Sequence, residues 1–511
     1  MESESRSSFR EEKGRWLGII ERFGSGLLWN YPGKILEFLL KFLSLLVVAR
    51  YLGPSRYGVY SALMGIFTLA TLFGSFGFNH TLLTYIPKLW GEEPGKAAFL
   101  LRRLFGLGIA ITVAISLTLY LSASPLAALL GIPEAASYIR YVLPYICLFL
   151  LSDILIHFLL GRLEVKPVAV VRVAVQLANL ALAILLARLG YGIREFLCIL
   201  ILTSGLGFVI YLLRVSRALF QRPSPFHLTR IYRFAVTVWL ASLVNYVLGR
   251  QSDLLLIGYF LHSPDEIGQY SAASTLAMAV STALVIGLDG VLLPVFSEVQ
   301  AQQGDERVGE AWRMALKLVT FLGVPPLLFC TFYPKSIILA FYREAYLPSV
   351  ILFQVAVALA AVGRTLGGGV SSGALSIANR ELVSLYIRAS TAVLNLLLAI
   401  FLIPRYRALG AIIATGIAAL VTMLAETLAV RRHTKGRYPF IFTGKVILAS
   451  IFALALTLLL RVESLRTLLA VGFLYMVLVV GALYLLKPLE ERDKTVLARM
   501  DPRLAGLLSR F

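Results

Sequence analysis

The strongest constraint on this chain is its hydrophobic pattern. Stretches of 18 or more mostly apolar residues follow one another, separated only by short polar breaks. A helix of about 20 apolar residues crosses the hydrocarbon core of a bilayer, which is roughly 30 Å thick. The sequence therefore predicts an all-α polytopic membrane protein with about fourteen transmembrane helices. The predicted spans are 27–49, 57–84, 104–122, 138–160, 167–187, 195–213, 234–260, 268–293, 314–333, 345–369, 382–403, 409–430, 444–460 and 467–486.

Composition and charge agree with this prediction. Of the 511 residues, 59% are hydrophobic and only 15% are charged, whereas soluble proteins carry about 25% charged residues. The net charge of +20 would suggest a nucleic-acid partner for a soluble chain. In a membrane protein, basic residues concentrate in cytoplasmic loops that face anionic lipid. The predicted inner segments hold 31 of the 48 Lys and Arg residues and the outer ones 10. We expect a cell-membrane protein with both termini in the cytoplasm, with membrane lipids and no nucleic acid as partners.

A five-residue motif occurs twice and indicates an internal repeat. Residues 58–62 and 268–272 share the pattern Gly-x-Tyr-Ser-Ala, are 210 residues apart, and stand at equivalent span junctions. Six predicted spans separate the copies, so both halves should have the same orientation in the membrane. The predicted parts are a cytoplasmic amphipathic segment 1–26, six-helix bundles 27–213 and 234–430 joined by a cytoplasmic linker 214–233, two additional transmembrane helices within 444–486, and a cytoplasmic tail 487–511.

The residues at the span junctions resemble the oligosaccharide flippases of the MOP superfamily, in its Wzx or polysaccharide-transporter branch. The resemblance covers about residues 15–430, and its longest motif combines Asn395-Leu396-Leu397-Leu398 with Ile403-Pro404-Arg405-Tyr406, Leu409-Gly410-Ala411 and Ala414-Thr415. Further motifs are Arg50-Tyr51-Leu52-Gly53-Pro54, Ile257-Gly258-Tyr259-Phe260-Leu261 and Pro294-Val295-Phe296-Ser297. The resemblance implies that the two bundles enclose a central cavity. It also implies movement of a polyprenyl-linked glycan from the inner to the outer leaflet.

Basic side chains inside the predicted spans suggest how such a substrate is bound. A charge within a span is energetically unfavourable, so it is expected to face a water-filled space or a partner. The sequence predicts a cationic cavity for the phosphate groups, formed by Lys34, Lys41, Arg172, Arg250, Arg364 and Arg388. Three residues of the first span, Lys34, Glu37 and Lys41, share one helical face. The alternative is that these residues only tie helices together.

Acidic residues and one histidine within the spans are candidates for gating or ion coupling. Glu37 lies in the first span. Asp253 stands three residues after Arg250 in the seventh, so the two share one helical face, and the alternative to a functional role is an internal ion pair. Asp153 and His157 lie four residues apart in the fourth span, and such a pair is able to relay a proton. The coupling ion, H+ or Na+, is left open. The glycines 367–369 predict a break or bend in the tenth span.

Two other function classes remain open. One is a multidrug or cation exporter of the same superfamily, and the other is a membrane-embedded polysaccharide polymerase. No phosphate-binding loop, zinc-protease motif or metal-ligand pattern is found in the sequence. We therefore expect no enzyme activity, no catalytic residues, no metal and no cofactor. The oligomeric state is undetermined, and a monomer fits the pattern.

Overall fold

A computed structural model of the chain describes residues 2–283, 296, 300, 305–367, 369–434, 436–462 and 464–487. Side chains are described from residue 32 onward, except for residues 305–307. The predicted tail 487–511 lies almost entirely outside this part. The helices, numbered in chain order, are α1 Glu2–Ser75, α2 Phe78–Glu92, α3 Pro94–Leu129, α4 Ala135–Gly161, α5 Val165–Leu189, α6 Ile193–Phe220, α7 Thr229–Val247, α8 Arg250–Leu261, α9 Pro264–Ala283, α10 Asp305–Phe332, α11 Pro334–Phe341, α12 Ser349–Thr365, α13 Val370–Ile377, α14 Glu381–Tyr406, α15 Ala408–Thr434, α16 Phe440–Thr457 and α17 Leu465–Leu486, with a short 3-10 helix at Glu344–Tyr346.

The helical, membrane-spanning fold class is confirmed. Ten helical stretches in the described part are long and apolar enough to cross a membrane, and they coincide with predicted spans three to six and nine to fourteen. The pair α7 and α8 would add an eleventh span, with a bend of 55° between its two pieces. The eighth predicted span begins in α9 and extends beyond residue 283, outside the described residues.

In the region of the first two predicted spans, the observed helices begin and end at other residues than predicted. α1 runs from Glu2 to Ser75 through both spans and is kinked at Gly53. Gly53 has φ 73° and ψ 171°, a conformation that favours glycine, and the following Pro54 lacks a backbone N–H. The second predicted span is broken at Gly77, which is left-handed with φ 74° before α2 begins. A Cβ at Gly77 would lie 2.2 Å from the carbonyl oxygen of Ala235.

The chain forms two compact units. The first comprises residues 1–52 and 63–243, and the second comprises residues 53–62 and 244–511. The predicted domain boundaries, including the linker 214–233, stay predictions. In the first unit, α2, α3, α4 and α6 bury an apolar cluster that contains Leu82, Leu101 and Phe158. In the second, fully buried Trp312 on α10 packs among residues of α13 and α15, and its Nε1–H donates to Ser371 Oγ at 3.1 Å.

The two C-terminal helices α16 and α17 pack against α10 in the second unit. The Tyr475 hydroxyl donates to the carbonyl oxygen of Pro325 at 3.0 Å. The Tyr333 hydroxyl likewise donates to the carbonyl oxygen of Thr457 at 2.7 Å. Each buried tyrosine thus satisfies its hydroxyl on the backbone of a neighbouring helix. The additional helices are therefore tied to the second unit by hydrogen bonds as well as by apolar packing.

The two copies of the five-residue motif contact each other within the second unit. The Ser61 hydroxyl donates to Ser271 Oγ at 2.9 Å. A Cβ on Gly58 would lie 1.7 Å from the carbonyl oxygen of Pro264, and a Cβ on Gly268 would lie 1.9 Å from that of Pro54. Each of these residues is 210 positions from its counterpart, so the contacts are reciprocal. This reciprocity supports the repeat, although superposition of the two halves stays a prediction.

Candidate functional site

The seventh predicted span is interrupted at Gly249, between α7 and α8. The interruption leaves carbonyl groups without helical partners, and side chains supply the donors. The carbonyl oxygen of Val247 accepts from Asn395 Nδ2 at 2.8 Å and from Ser252 Oγ at 3.0 Å. That of Gly249 accepts from Ser252 Oγ at 2.7 Å. A broken helix at membrane depth requires such compensation, because lipid offers no donors.

Arg250 begins α8, and its guanidinium group reaches α9. Its Nη1 donates to Thr275 Oγ1 at 2.9 Å, and its Nη2 donates to Ser271 Oγ at 3.2 Å. Ser271 belongs to the second motif copy and also contacts Ser61. The arginine therefore links the broken helix to the junction between the two motif copies. Its Nε is buried and has no hydrogen-bond partner among the residues that the structure describes.

Asp253 is completely buried one turn after Arg250. Its Oδ2 accepts a short hydrogen bond from the Tyr270 hydroxyl and another from Thr415 Oγ1 at 2.7 Å. The Thr415 hydroxyl also lies 3.2 Å from Asn395 Oδ1. Asp253 Oδ1 is buried and has no partner among the described residues. Arg250 and Asp253, predicted as neighbours on one face, thus each bind hydroxyl groups of other helices.

Arg388 on α14 forms an ion pair with a residue of α15. Its Nε lies 2.9 Å from Glu426 Oε1, and Glu426 is 1% exposed. The same carboxylate oxygen accepts from Ser384 Oγ at 2.6 Å. Arg388 Nη1 also donates to Asn245 Oδ1 at 3.2 Å, beside the break after α7. Arg388 therefore connects α14 to α15 and to the C-terminal end of α7.

The tenth predicted span is broken at the glycines, as expected. α12 ends at Thr365 and α13 begins at Val370, with Gly367 and Gly369 at φ 104° and 100°. Arg364, one residue before the end of α12, donates from Nη2 to the carbonyl oxygen of Ser281 at 2.9 Å. Its aliphatic part packs against Gly323 on α10. Arg364 therefore connects the end of α12 to α9.

In the first unit, the predicted Asp153–His157 pair is formed. His157 Nδ1 lies 3.2 Å from Asp153 Oδ1 and 2.7 Å from the carbonyl oxygen of the same residue. The pair lies on α4, which packs against α2, where His80 lies, and against α5, where Arg172 lies. The structure thus groups titratable residues of three helices around this pair.

The other predicted cations of the first unit lie on α1 and α5. Lys34 and Lys41 are exposed and Glu37 is half-buried on α1, while Arg172 is half-buried on α5. A Cβ on Gly33 of α1 would lie 3.2 Å from the Cβ of Ala169 on α5, and α5 packs against α6, so these three helices lie near one another. Within the described side chains, Lys34 and Arg172 have no hydrogen-bond or ion-pair partner. Lys41 does have a partner.

Several residues of these networks were not among the predicted site residues. Tyr270 and Ser271 belong to the repeated motif, and Asn395 and Thr415 belong to the family-like motif, so these signals pointed to them without showing their contacts. The partner of Arg388, Glu426, was visible only as an acidic residue within a span. Thr275 and Ser384 gave no signal, because small hydroxyl residues are common in membrane helices.

Comparison with known families and proteins gives consistent results. A family profile described as "polysaccharide biosynthesis protein" matches residues 47–351. The succinoglycan biosynthesis transport protein ExoT of Rhizobium meliloti (strain 1021) is 28% identical over 300 residues, which is 58% of each chain. The aligned region thus spans less than two thirds of that relative's length.

Solved structures show a similar fold. The lipid II flippase MurJ in an inward closed conformation superposes with a TM-score of 0.72 at 15% identity, over 90% of this chain and 99% of that chain. An inward-facing multidrug resistance transporter of the MATE family of the MOP superfamily superposes with a TM-score of 0.67 at 16% identity. The superposition covers 78% of this chain and 94% of that chain. The chain therefore shares the fold of these two transporters. At these identities the likeness concerns the fold alone.

Proposed function

Because the chain belongs to the polysaccharide biosynthesis protein family, we propose that it is a membrane flippase for surface polysaccharide or glycan synthesis. It moves a polyprenyl-(pyro)phosphate-linked oligosaccharide from the inner to the outer leaflet by alternating access. The family description and the transport role in the name of ExoT support this proposal. We place the protein in the cell membrane with both termini in the cytoplasm.

The observation that carries the proposal is the excess of cations within the predicted membrane spans. The negatively charged sugar-phosphate head of such a substrate cannot enter hydrocarbon without losing its hydration, which is highly unfavourable. Lys34 and Arg172 lack partners among the described side chains, so they have donors to offer to phosphate oxygens. Arg250, Arg364 and Arg388 donate to protein groups. We therefore assign the first contact with phosphate to Lys34 and Arg172 and a positioning role to the other three arginines.

The charge at Arg172 provides a direct test. Purified protein is reconstituted in liposomes with a polyprenyl diphosphate that carries one fluorescent sugar, and a membrane-impermeant reductant reports the label in the outer leaflet. Wild-type protein should expose label that protein-free liposomes protect. Arg172→Gln should slow this exposure at least about tenfold, because a charge-assisted hydrogen bond contributes roughly 1.5–3 kcal/mol. Arg172→Lys should retain part of the rate.

The matched control is Arg140→Gln. Arg140 is an exposed arginine of α4 that donates to Ser124 Oγ at 3.0 Å and lies over the Tyr120 ring. This variant should transport at the wild-type rate. If the wild type moves no labelled lipid but expels a cationic dye, the protein is an exporter of the multidrug class and the flippase proposal fails.

A coupling ion is a second part of the proposal, and Asp253 is its candidate site. A buried carboxylate oxygen without a partner is rare and is satisfied when it carries a proton or faces a cation. Around Asp253, the hydroxyls of Tyr270 and Thr415 and the amide oxygen of Asn395 form an oxygen-rich set. Hard cations such as Na+ prefer oxygen donors, so the residues fit either ion.

Neutralising Asp253 should therefore remove the effect of an ion gradient. In the liposome assay, either an imposed pH gradient or an imposed Na+ gradient should accelerate wild-type flipping. The gradient that raises the flipping rate identifies the coupling ion. Asp253→Asn should respond to neither gradient. Asp265→Asn changes an exposed carboxylate at the start of α9 and should respond as the wild type does. An Asp253→Asn protein with the full gradient response would contradict this assignment.

A further inference from the structure

A pocket of about 660 Å³ opens in the first unit, where α2, α4 and α6 end. Its walls include Trp90 of α2, Arg162 and Glu164 just after α4, and Arg214, Arg217 and Phe220 of α6. None of these residues has a role in the transport proposal above. Its α6 wall overlaps the predicted cytoplasmic linker 214–233, because residues 214–220 of that linker form the last turns of α6.

The pocket carries an excess of positive charge. Arg162 lies 4.1 Å from the centre of the Trp90 ring and 2.9 Å from Glu164 Oε1. Its buried Nε has no hydrogen-bond partner in the described part of the chain. Arg214 and Arg217 are exposed, stand one turn apart, and have no partner among the described residues. Three guanidinium groups and one carboxylate give the lining a net charge of +2. Arginine groups in this arrangement suit the oxygens of a phosphate.

The wall formed by the end of α6 is held in place by Arg102. Its Nη2 donates to the carbonyl oxygen of Gln221 at 2.7 Å, and its Nε donates to that of Leu219. These carbonyl groups lie at the end of the helix, where no helical donor is available to them. The guanidinium of Arg102 is therefore used for structure, while Arg214 and Arg217 are left to face a ligand.

An exposed apolar stripe on α6 runs directly into this pocket. Leu202, Leu206, Val209 and Leu213 are exposed and follow one another at intervals of three or four residues, so they share one helical face. Arg217 continues the same face four residues after Leu213, and Phe220, which is 85% exposed, follows three residues later. An acyl chain along the stripe would bring its headgroup to Arg217.

We propose that this pocket binds the headgroup of an anionic phospholipid, with its acyl chains along the α6 stripe. The phosphodiester accepts from Arg214 and Arg217, and the Arg162–Trp90 stack forms the floor. Basic pockets between membrane helices are suited to such headgroups. A free phosphate would share the chemistry of the arginines but not that of the stripe, so the stripe selects the lipid. None of the residues that line the pocket is among the candidate transport residues.

Native mass spectrometry of the full-length protein in detergent tests this proposal. Phosphatidylglycerol and phosphatidylcholine of equal chain length are titrated separately, and bound lipid is counted. The wild type should bind phosphatidylglycerol more tightly. Arg214→Gln with Arg217→Gln should weaken this binding roughly thirtyfold, because each basic residue near an anionic headgroup contributes roughly fivefold. The matched control, Arg431→Gln with Arg432→Gln, removes two exposed arginines at the end of α15 and should change nothing.

Two further measurements distinguish a lipid headgroup from a free phosphate as the ligand of this pocket. Leu206→Asn changes the stripe without touching the pocket and should weaken phosphatidylglycerol binding while leaving the protein folded. Sodium pyrophosphate should not displace the lipid at equal phosphate concentration. If pyrophosphate displaces it, or if Leu206→Asn has no effect, the pocket is a site for free anions and the lipid proposal is wrong. Equal affinity of the double arginine variant and the wild type would also overturn it.

Discussion

Replacing Arg250 with alanine is expected to abolish flipping in reconstituted liposomes while the protein still inserts into the membrane at the wild-type level. The guanidinium group donates to Thr275 and Ser271, so it joins the broken seventh span to α9. Hydrogen bonds from charged groups contribute roughly 1.5–3 kcal/mol each, so losing two of them should lower the rate at least about a hundredfold. The measurement is the initial rate of label exposure per inserted protein.

A lysine at the same position separates the role of charge from that of geometry. The lysine ammonium is a compact point charge, whereas the two Nη groups of the guanidinium lie in a fixed plane and here reach two different hydroxyls. Arg250→Lys should therefore recover only a small part of the rate. Arg140→Ala, in contrast, removes an exposed arginine of α4 and should leave the rate unchanged.

A wild-type rate in Arg250→Ala would show that the link between α8 and α9 is not needed for transport. Full recovery by Arg250→Lys would show that positive charge alone is required at this position. In that case Arg250 acts on the substrate phosphate through space, and its contacts with Thr275 and Ser271 are incidental. The two variants therefore distinguish a positioning residue from a member of the anion path.

The features predicted correctly from the sequence are those that depend on local pattern. Spans of about 20 apolar residues are visible without any tertiary information. The Asp153–His157 pair was predicted because residues four apart share a helical face. The break at Gly367 and Gly369 was also visible, since consecutive glycines tolerate left-handed conformations at little energetic disadvantage.

The partners of the charged residues were not predictable, because they depend on contacts between helices far apart in sequence. Asp253 lies three residues from Arg250, and this spacing suggested a local pair. In the structure, Thr415 Oγ1, 162 positions away, donates to the carboxylate. Spacing also could not show that the helix breaks at Gly249, where Asn395 Nδ2 compensates the exposed carbonyl oxygen of Val247. One sequence without an alignment contains no signal for such pairs.

The reciprocal junction between the two motif copies leads to the second large expected effect. Gly58→Val would place side-chain atoms where the carbonyl oxygen of Pro264 already lies, since even a Cβ would approach to 1.7 Å. The contacting atom is backbone, so the helices must separate. Overpacking of this kind destabilises by roughly 1–3 kcal/mol. We expect Gly58→Val to lose transport and to melt at a lower temperature than the wild type.

A matched control is available in α3, where Gly106 is exposed and a Cβ would meet nothing within 4 Å. Gly106→Val should therefore transport and melt as the wild type does. Equal behaviour of Gly58→Val and Gly106→Val would show that the contact between the two motif copies does not restrict the packing of these helices.

A disulfide tests whether this junction opens during transport. The hydroxyl oxygens of Ser61 and Ser271 lie 2.9 Å apart, so Ser61→Cys with Ser271→Cys places two thiols in contact. In alternating access the two ends of a transporter open in turn. If one of these openings separates the two motif copies, a disulfide between them will block it. Oxidation should stop flipping and a thiol reductant should restore it, while either single cysteine variant should be insensitive. If the oxidised double variant transports as fast as the same protein with its thiols reduced, the motif copies stay together throughout the cycle. The moving parts then lie elsewhere, for example at the break between α7 and α8.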